Sequence, residues 1–176
     1  QYRMVLQTGA DYYVLDLQDK VKNTNDWGEI ADLFTANTAR WDGQPSRIER
    51  DFVNPMRILS LSMPPDIADK LRDSQFKFEK AMATITKATA GVRRDLPVEI
   101  DKNAEKNALA GWDTGREALN EFFVTLNDAT GLSEMKTIPP SGPNQNKEYG
   151  RSQRKYLELM KVTKLCQNRG GPTLSA

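Results

Sequence analysis

The sequence predicts an all-α protein, an up-down helical bundle of four main helices with an extended Pro-rich linker and a C-terminal basic helix. Apolar residues recur three or four positions apart in every long segment, as they do along one face of a helix. No segment shows the sustained apolar–polar alternation that is typical of a half-buried strand. At 176 residues the chain is long enough to enclose one hydrophobic core.

The sequence pattern of the N-terminal region predicts one helix followed by a second, shorter helix. The first helix ends at Asn23–Asn25, and Asp26 then stands three residues before Glu29, at the spacing of a capping box. The apolar face of the first helix consists of Leu6, Ala10, Tyr13, Leu17 and Val21, and that of the second of Trp27, Ile30, Ala31 and Phe34.

A third helix is predicted to begin at Pro45-Ser46, because Ser46 and Glu49 again have capping-box spacing. Its buried stripe would contain Ile48, Phe52, Met56 and Leu59. Pro55 lies inside that stripe, so the helix should be kinked, or should restart, between Asp51 and Pro55.

The two longest apolar stripes follow. Pro65 tolerates the first turn of a helix, and the helix beginning there should bury Ile67, Leu71, Phe78, Met82 and Ile85 and end at Gly91. Residues 93–102 read as an exposed connection, with a short strand as the alternative. From Asn103 to Ala129 the stripe contains Leu109, Trp112, Leu119, Phe122, Phe123 and Leu126, with Gly131 just beyond the helix end. Gly111 and Gly115 lie four residues apart, which allows another helix to approach closely.

These elements predict three regions. Residues 1–135 form the helical bundle domain, in which the N-terminal helix region 1–44 can pack at the periphery. Residues 136–146 form a Pro-rich linker that runs extended over the surface, because its prolines cannot sustain a helix or a central strand. Residues 147–176 form a basic C-terminal helix, from Lys147 to Lys164, and an irregular tail.

Composition argues against catalysis and against membrane insertion. The chain has no histidine, the commonest general acid or base, and its one cysteine, Cys166, cannot form an internal disulfide. No carboxylate spacing indicates a metal site, so neither a metal nor a cofactor is expected. Charged residues make up 28% of the chain and the mean hydropathy is −0.65, so any membrane contact should be peripheral. An enzyme that acts through carboxylates or Cys166 is the disfavoured alternative.

The C-terminal region is the one strong charge asymmetry. Between residues 147 and 169 the basic residues are opposed only by Glu148 and Glu158, whereas the whole chain has a net charge of +1. One interpretation is that this basic segment folds back onto acidic helices or is simply solvated. The other is that the segment is a docking arm for an acidic protein surface. Nucleic acid is a weaker candidate partner, because the net charge of the chain is only +1 and the basic residues are confined to this one segment. The predicted partner-binding residues are Lys147, Tyr149, Arg151, Arg154, Lys155, Tyr156, Lys161, Lys164 and Arg169.

The same region carries a family resemblance. The strings are Ala118-Leu119-Asn120, residues 129–136 (ATGLSEMK), residues 147–152 (KEYGRS), Leu159-Met160-Lys161 and Gly171-Pro172-Thr173-Leu174. Together they resemble the thylakoid-lumen 16.5-kDa family, also called maintenance of photosystem II under high light. The resemblance covers residues 45–176 and is clearest from Gly111 onward.

This resemblance implies a protein of the chloroplast thylakoid lumen that assists photosystem II repair or assembly. It would bind lumen-exposed loops of the core subunits, peripheral to the thylakoid membrane and not inserted in it. The alternative is a constitutive extrinsic structural subunit of a photosynthetic complex. Abundance relative to the core during light stress separates the two, because a repair factor need not keep a fixed stoichiometry.

Overall fold

A computed structural model describes residues 2–34, 45–90, 102–152 and 154–158, and none of these residues forms a β-strand. The prediction of an all-α protein is therefore confirmed for this part of the chain. The α-helices are α1 (Tyr2–Tyr12), α2 (Gln18–Lys22), α3 (Trp27–Phe34), α4 (Asn54–Leu61), α5 (Pro65–Thr89), α6 (Ala104–Thr130) and α7 (Gln145–Tyr149). There are also two π-helical turns, Tyr13–Leu17 and Glu49–Val53, and a 3₁₀ turn, Thr24–Asp26.

The first helix lies at the centre of the fold and not at its periphery. The π-turn Tyr13–Leu17 joins α1 to α2 without leaving helical backbone angles, so the three elements form one continuous helix. Leu6, Tyr12, Tyr13 and Leu17 are completely buried in it. The sequence suggested that region 1–44 can be peripheral, but the described residues of its first helix belong to the hydrophobic core.

The second π-turn occupies the position where Pro55 predicted a disturbed helix. Pro55 stands in the first turn of α4, directly after the π-turn Glu49–Val53, so the departure from α-geometry accommodates its missing N–H. The predicted capping box is present: the backbone N–H of Ser46 donates to Glu49 Oε2 at 2.8 Å, and that of Glu49 donates to Ser46 Oγ at 3.2 Å.

Helices α5 and α6 form the most extensive helix pair, and they run antiparallel. Gly111 lies against Ala81 and Ile85 of α5, as the glycine spacing predicted. Gly131 follows the end of α6 with a φ of 65°, the left-handed conformation that glycine adopts at no steric cost. Leu109 was predicted to be buried, but it is 40% exposed because it lies beside the buried stripe and not within it.

The arrangement is helical but is not a clear up-down bundle of four helices. The long pair α5 and α6 packs against the first helix, α3 and α4, which are shorter or interrupted by π-turns. The single C-terminal helix predicted from Lys147 to Lys164 is divided, because α7 ends at Tyr149 and the next residue, Gly150, has a φ of 62°. Residues 154–158 are helical again. The predictions for Gly91, residues 93–101 and the tail beyond residue 158 lie outside the described residues.

Two neighbouring tyrosines at the centre of the fold should respond differently to loss of the hydroxyl. Tyr13 Oη donates to the carbonyl oxygen of Trp112 at 2.6 Å, whereas the equally buried Tyr12 Oη has no hydrogen-bond partner among the described residues. We expect Tyr13→Phe to lower the free energy of unfolding by about 1–2 kcal/mol, and Tyr12→Phe to leave it unchanged or raise it by about 1 kcal/mol. Denaturant unfolding of both variants measures this, and equal losses at the two positions would contradict it.

Candidate partner-binding surface

The segment that the sequence predicts as a linker is fixed to the helices by side-chain amides. Asn127 on α6 donates from Nδ2 to the carbonyl oxygen of Met135 at 2.8 Å, and its Oδ1 accepts the Met135 N–H at 3.1 Å. Asn120 makes the same pair of bonds to Ile138, at 2.8 and 2.7 Å. We call residues 135–149 the strap. Met135 and Ile138 are buried, so the strap is not a free surface linker.

The spacing of these two asparagines explains which residues of the strap they bind. Seven residues of α-helix advance about 10.5 Å. Three residues of extended chain cover about 10 Å, so Asn120 and Asn127 meet Ile138 and Met135 in antiparallel order. Between them, Gln7 of α1 accepts the backbone N–H of Lys136 at 2.8 Å. The three amides therefore recognise the strap through its backbone.

The end of the strap is held by one buried carboxylate, Asp11 of α1. Asp11 is 4% exposed and accepts hydrogen bonds from Tyr149 Oη at 2.9 Å and from Nε and Nη2 of Arg151, the latter at 2.6 Å. Gln7 Nε2 donates to the same Tyr149 oxygen at 3.1 Å. Burial and the adjacent Asp11 raise the pKa of Tyr149, so its hydroxyl stays protonated and donates to the carboxylate.

A second contact anchors the helical turn at 154–158. Tyr156 is 4% exposed, and its hydroxyl lies 3.5 Å from Nη2 of Arg47. The guanidinium of Arg47 lies 3.5 Å above the ring of Tyr12 and also donates from Nε to Asp51 at 3.1 Å. Tyr149, Arg151 and Tyr156 therefore lie against the first helix and against Arg47, which precedes the second π-turn.

These contacts change the interpretation of three predicted partner-binding residues. Tyr149 and Tyr156 are buried against the chain's own helices, so they are not available to a partner while the fold persists. The guanidinium of Arg151 forms an ion pair with Asp11, although the Arg151 side chain remains 39% exposed. The folded-back interpretation of the basic segment therefore holds at Arg151, where the buried carboxylate of Asp11 neutralises the charge.

The other predicted cations divide into an exposed group and an undescribed one. Lys147, Arg154 and Lys155 are exposed, and the side chain of Arg154 is 87% accessible and pairs with Glu158 at 3.1 Å. Lys161, Lys164 and Arg169 lie outside the described residues. The structure adds Lys136, whose Nζ lies 6.0 Å from the ring centroid of Tyr149. No local pattern in the sequence identifies Lys136, because only the path of the strap brings it to this surface.

The basic surface is thus defined by Lys136, Lys147, Arg151, Arg154 and Lys155. No group of three or more potential metal-binding side chains occurs within the described ranges. None of the helices in those ranges is both long and apolar enough to cross a membrane. A shallow groove between α5 and α6 contains Lys77, but this lysine is paired with Glu121 at 2.7 Å.

Comparison with protein-family models, with curated proteins and with solved structures found no match to this chain.

Proposed function

We propose that the chain is a non-catalytic auxiliary factor that binds the lumenal side of photosystem II during repair or assembly. The choice of partner rests on the resemblance of residues 45–176 to the thylakoid-lumen 16.5-kDa family. The proposed location is accordingly the chloroplast thylakoid lumen, with the protein peripheral to the membrane. The proposed partners are lumen-exposed loops of the core subunits.

One observation supports the mode of binding: each exposed cation stands within two residues of a side chain that is held by the helices. Asp11 binds Tyr149, two residues from Lys147, and Arg47 contacts Tyr156, which lies beside Arg154 and Lys155 in the sequence. A preorganised surface loses less conformational entropy on binding than a free tail does. Clustered cations also accelerate encounter with an acidic surface.

Charge reversal at the exposed positions tests this proposal. The triple variant Lys147→Glu, Arg154→Glu and Lys155→Glu should weaken binding to isolated photosystem II assembly intermediates about tenfold or more, because each change replaces attraction by repulsion. The measurement is co-migration in native gels together with a binding isotherm. Wild-type binding should also weaken as salt shortens the screening length from about 10 Å at 0.1 M to about 3 Å at 1 M.

A matched control separates the position of the charges from their number. Lys70, Lys80 and Lys87 are exposed on α5, away from the basic surface, and reversing all three changes the net charge by the same amount. This control variant should bind nearly as well as the wild type. Equal losses of affinity in both triple variants would show that binding depends on the net charge and not on where the charges lie. Unchanged co-migration of the Lys147, Arg154 and Lys155 variant would show that the basic surface does not bind the partner.

A further inference from the structure

Large apolar side chains are exposed at one end of the fold. Met4 is 76% and Leu61 70% exposed, and Tyr2, Ile58 and Leu132 are each at least 38% exposed. We call residues 2–4, 57–66 and 131–134 the apolar end. Exposed apolar side chains that lie together, unlike those scattered singly, usually mark a site of interaction.

The helix directions bring these three stretches together. Helix α1 packs against α4, and Gly9 lies against Asp51 and Phe52 just before α4 begins, so α1 and α4 are antiparallel. The start of α1 therefore lies beside the end of α4. Antiparallel α5 and α6 likewise place the start of α5 beside the end of α6, and Arg3 Nη1 contacts Glu134 Oε2 at 3.0 Å.

The charges at this end are balanced and incompletely paired. Arg3 and Glu134 neutralise each other, which leaves Arg57 and Asp66 as exposed charges of opposite sign. Neither has an ion-pair partner among the residues that the structure describes. A surface with an apolar centre and one unpaired charge of each sign is complementary to a copy of itself related by a two-fold axis.

We infer that the apolar end is an isologous interface at which two copies of this chain associate, with Arg57 of each copy facing Asp66 of the other. The balanced charge disfavours an anionic membrane as the occupant, because peripheral insertion normally couples apolar side chains to a basic rim. The inference does not rest on the proposed function, since none of the five residues that define the basic surface belongs to the apolar end.

The apolar contact is tested by single substitutions in the full chain. Wild-type protein should sediment as a dimer at micromolar concentration, and Leu61→Asp should raise the dissociation constant of the dimer about tenfold or more by placing a charge at the centre of the contact. Phe76→Asp is the matched control, because Phe76 is 57% exposed on α5 outside the apolar end. It should leave the dimer unchanged, and circular dichroism should show that both variants are folded.

The charge contact is tested by a swap. Arg57→Asp and Asp66→Arg should each weaken the dimer, and the double variant should restore it, because the two charges exchange places across the interface. A wild-type chain that stays monomeric over the whole concentration range overturns the inference, as does failure of the double variant to recover. Monomeric protein that co-sediments with phosphatidylglycerol vesicles would identify a membrane as the occupant and would equally overturn it.

Discussion

Replacing Gly115 with alanine is expected to lower the free energy of unfolding by about 2–3 kcal/mol, although alanine is the better helix former by about 1 kcal/mol. A Cβ at this position would overlap Tyr13 Oη and lie 2.7 Å from Met82 Cε. Met82 can adjust, but the ring of Tyr13 is stacked on Trp112 with centroids 5.3 Å apart. Tyr13 must therefore give up its hydrogen bond to Trp112 or push α6 away from the first helix.

The measurement is the free energy of unfolding from denaturant titration, supported by a fall in melting temperature of about 5–10 °C for a chain of this size. Gly142→Ala is the control, since no atom lies within 4 Å of the Cβ that alanine would introduce and its φ is not positive. It should change stability by less than about 0.5 kcal/mol. A Gly115→Ala variant as stable as the wild type would show that the two helices are not held at this distance.

Replacing Asp11 with alanine is expected to cost about 2–3 kcal/mol and to release one segment preferentially. The carboxylate accepts bonds from Tyr149 and Arg151, and without it the Tyr149 hydroxyl loses its buried acceptor. Arg151 is partly exposed and can return to water, so the cost should fall below the 3–5 kcal/mol that is typical of a fully buried broken ion pair.

Hydrogen exchange identifies where the Asp11 variant opens. Backbone amides at residues 149–152 should exchange faster, while those of the helix pair α5 and α6 keep their protection. Asp19→Ala, an exposed carboxylate on α2, is the matched control and should change neither stability nor exchange measurably. If the α5–α6 pair loses protection as much as residues 149–152, Asp11 supports the whole fold and not the C-terminal segment.

The sequence was most informative where structure depends on neighbouring residues. The capping box of Ser46 and Glu49, the helix start at Pro65 and the left-handed Gly131 are each decided within one turn. The buried stripe of α6 was equally visible, because helical periodicity needs no knowledge of distant residues. Leu109 shows the limit of this approach, since a residue at the edge of a stripe can face water.

The surface around the strap was not predictable from local pattern. Asp11 and Arg151 are 140 positions apart in sequence, and Gln7 and Tyr149 are 142 apart, so no window of the sequence contains both partners. The positive charge of the C-terminal segment is visible in the sequence, but the burial of Tyr149 and Tyr156 is not. Gln7, Asp11 and Arg47, which are distant in the sequence, supply the hydrogen-bond partners for the hydroxyl groups of these tyrosines. Only the packing of the first helix reveals those partners.

The bonds from Asn120, Asn127 and Gln7 to the strap have an evolutionary consequence. They involve peptide groups, which every residue except proline supplies in full, so the strap can diverge in sequence while its path is conserved. Distant relatives of this chain should accordingly retain Asn120, Asn127 and Gln7. Substitutions should accumulate at Lys136 and Thr137 sooner than at these three residues.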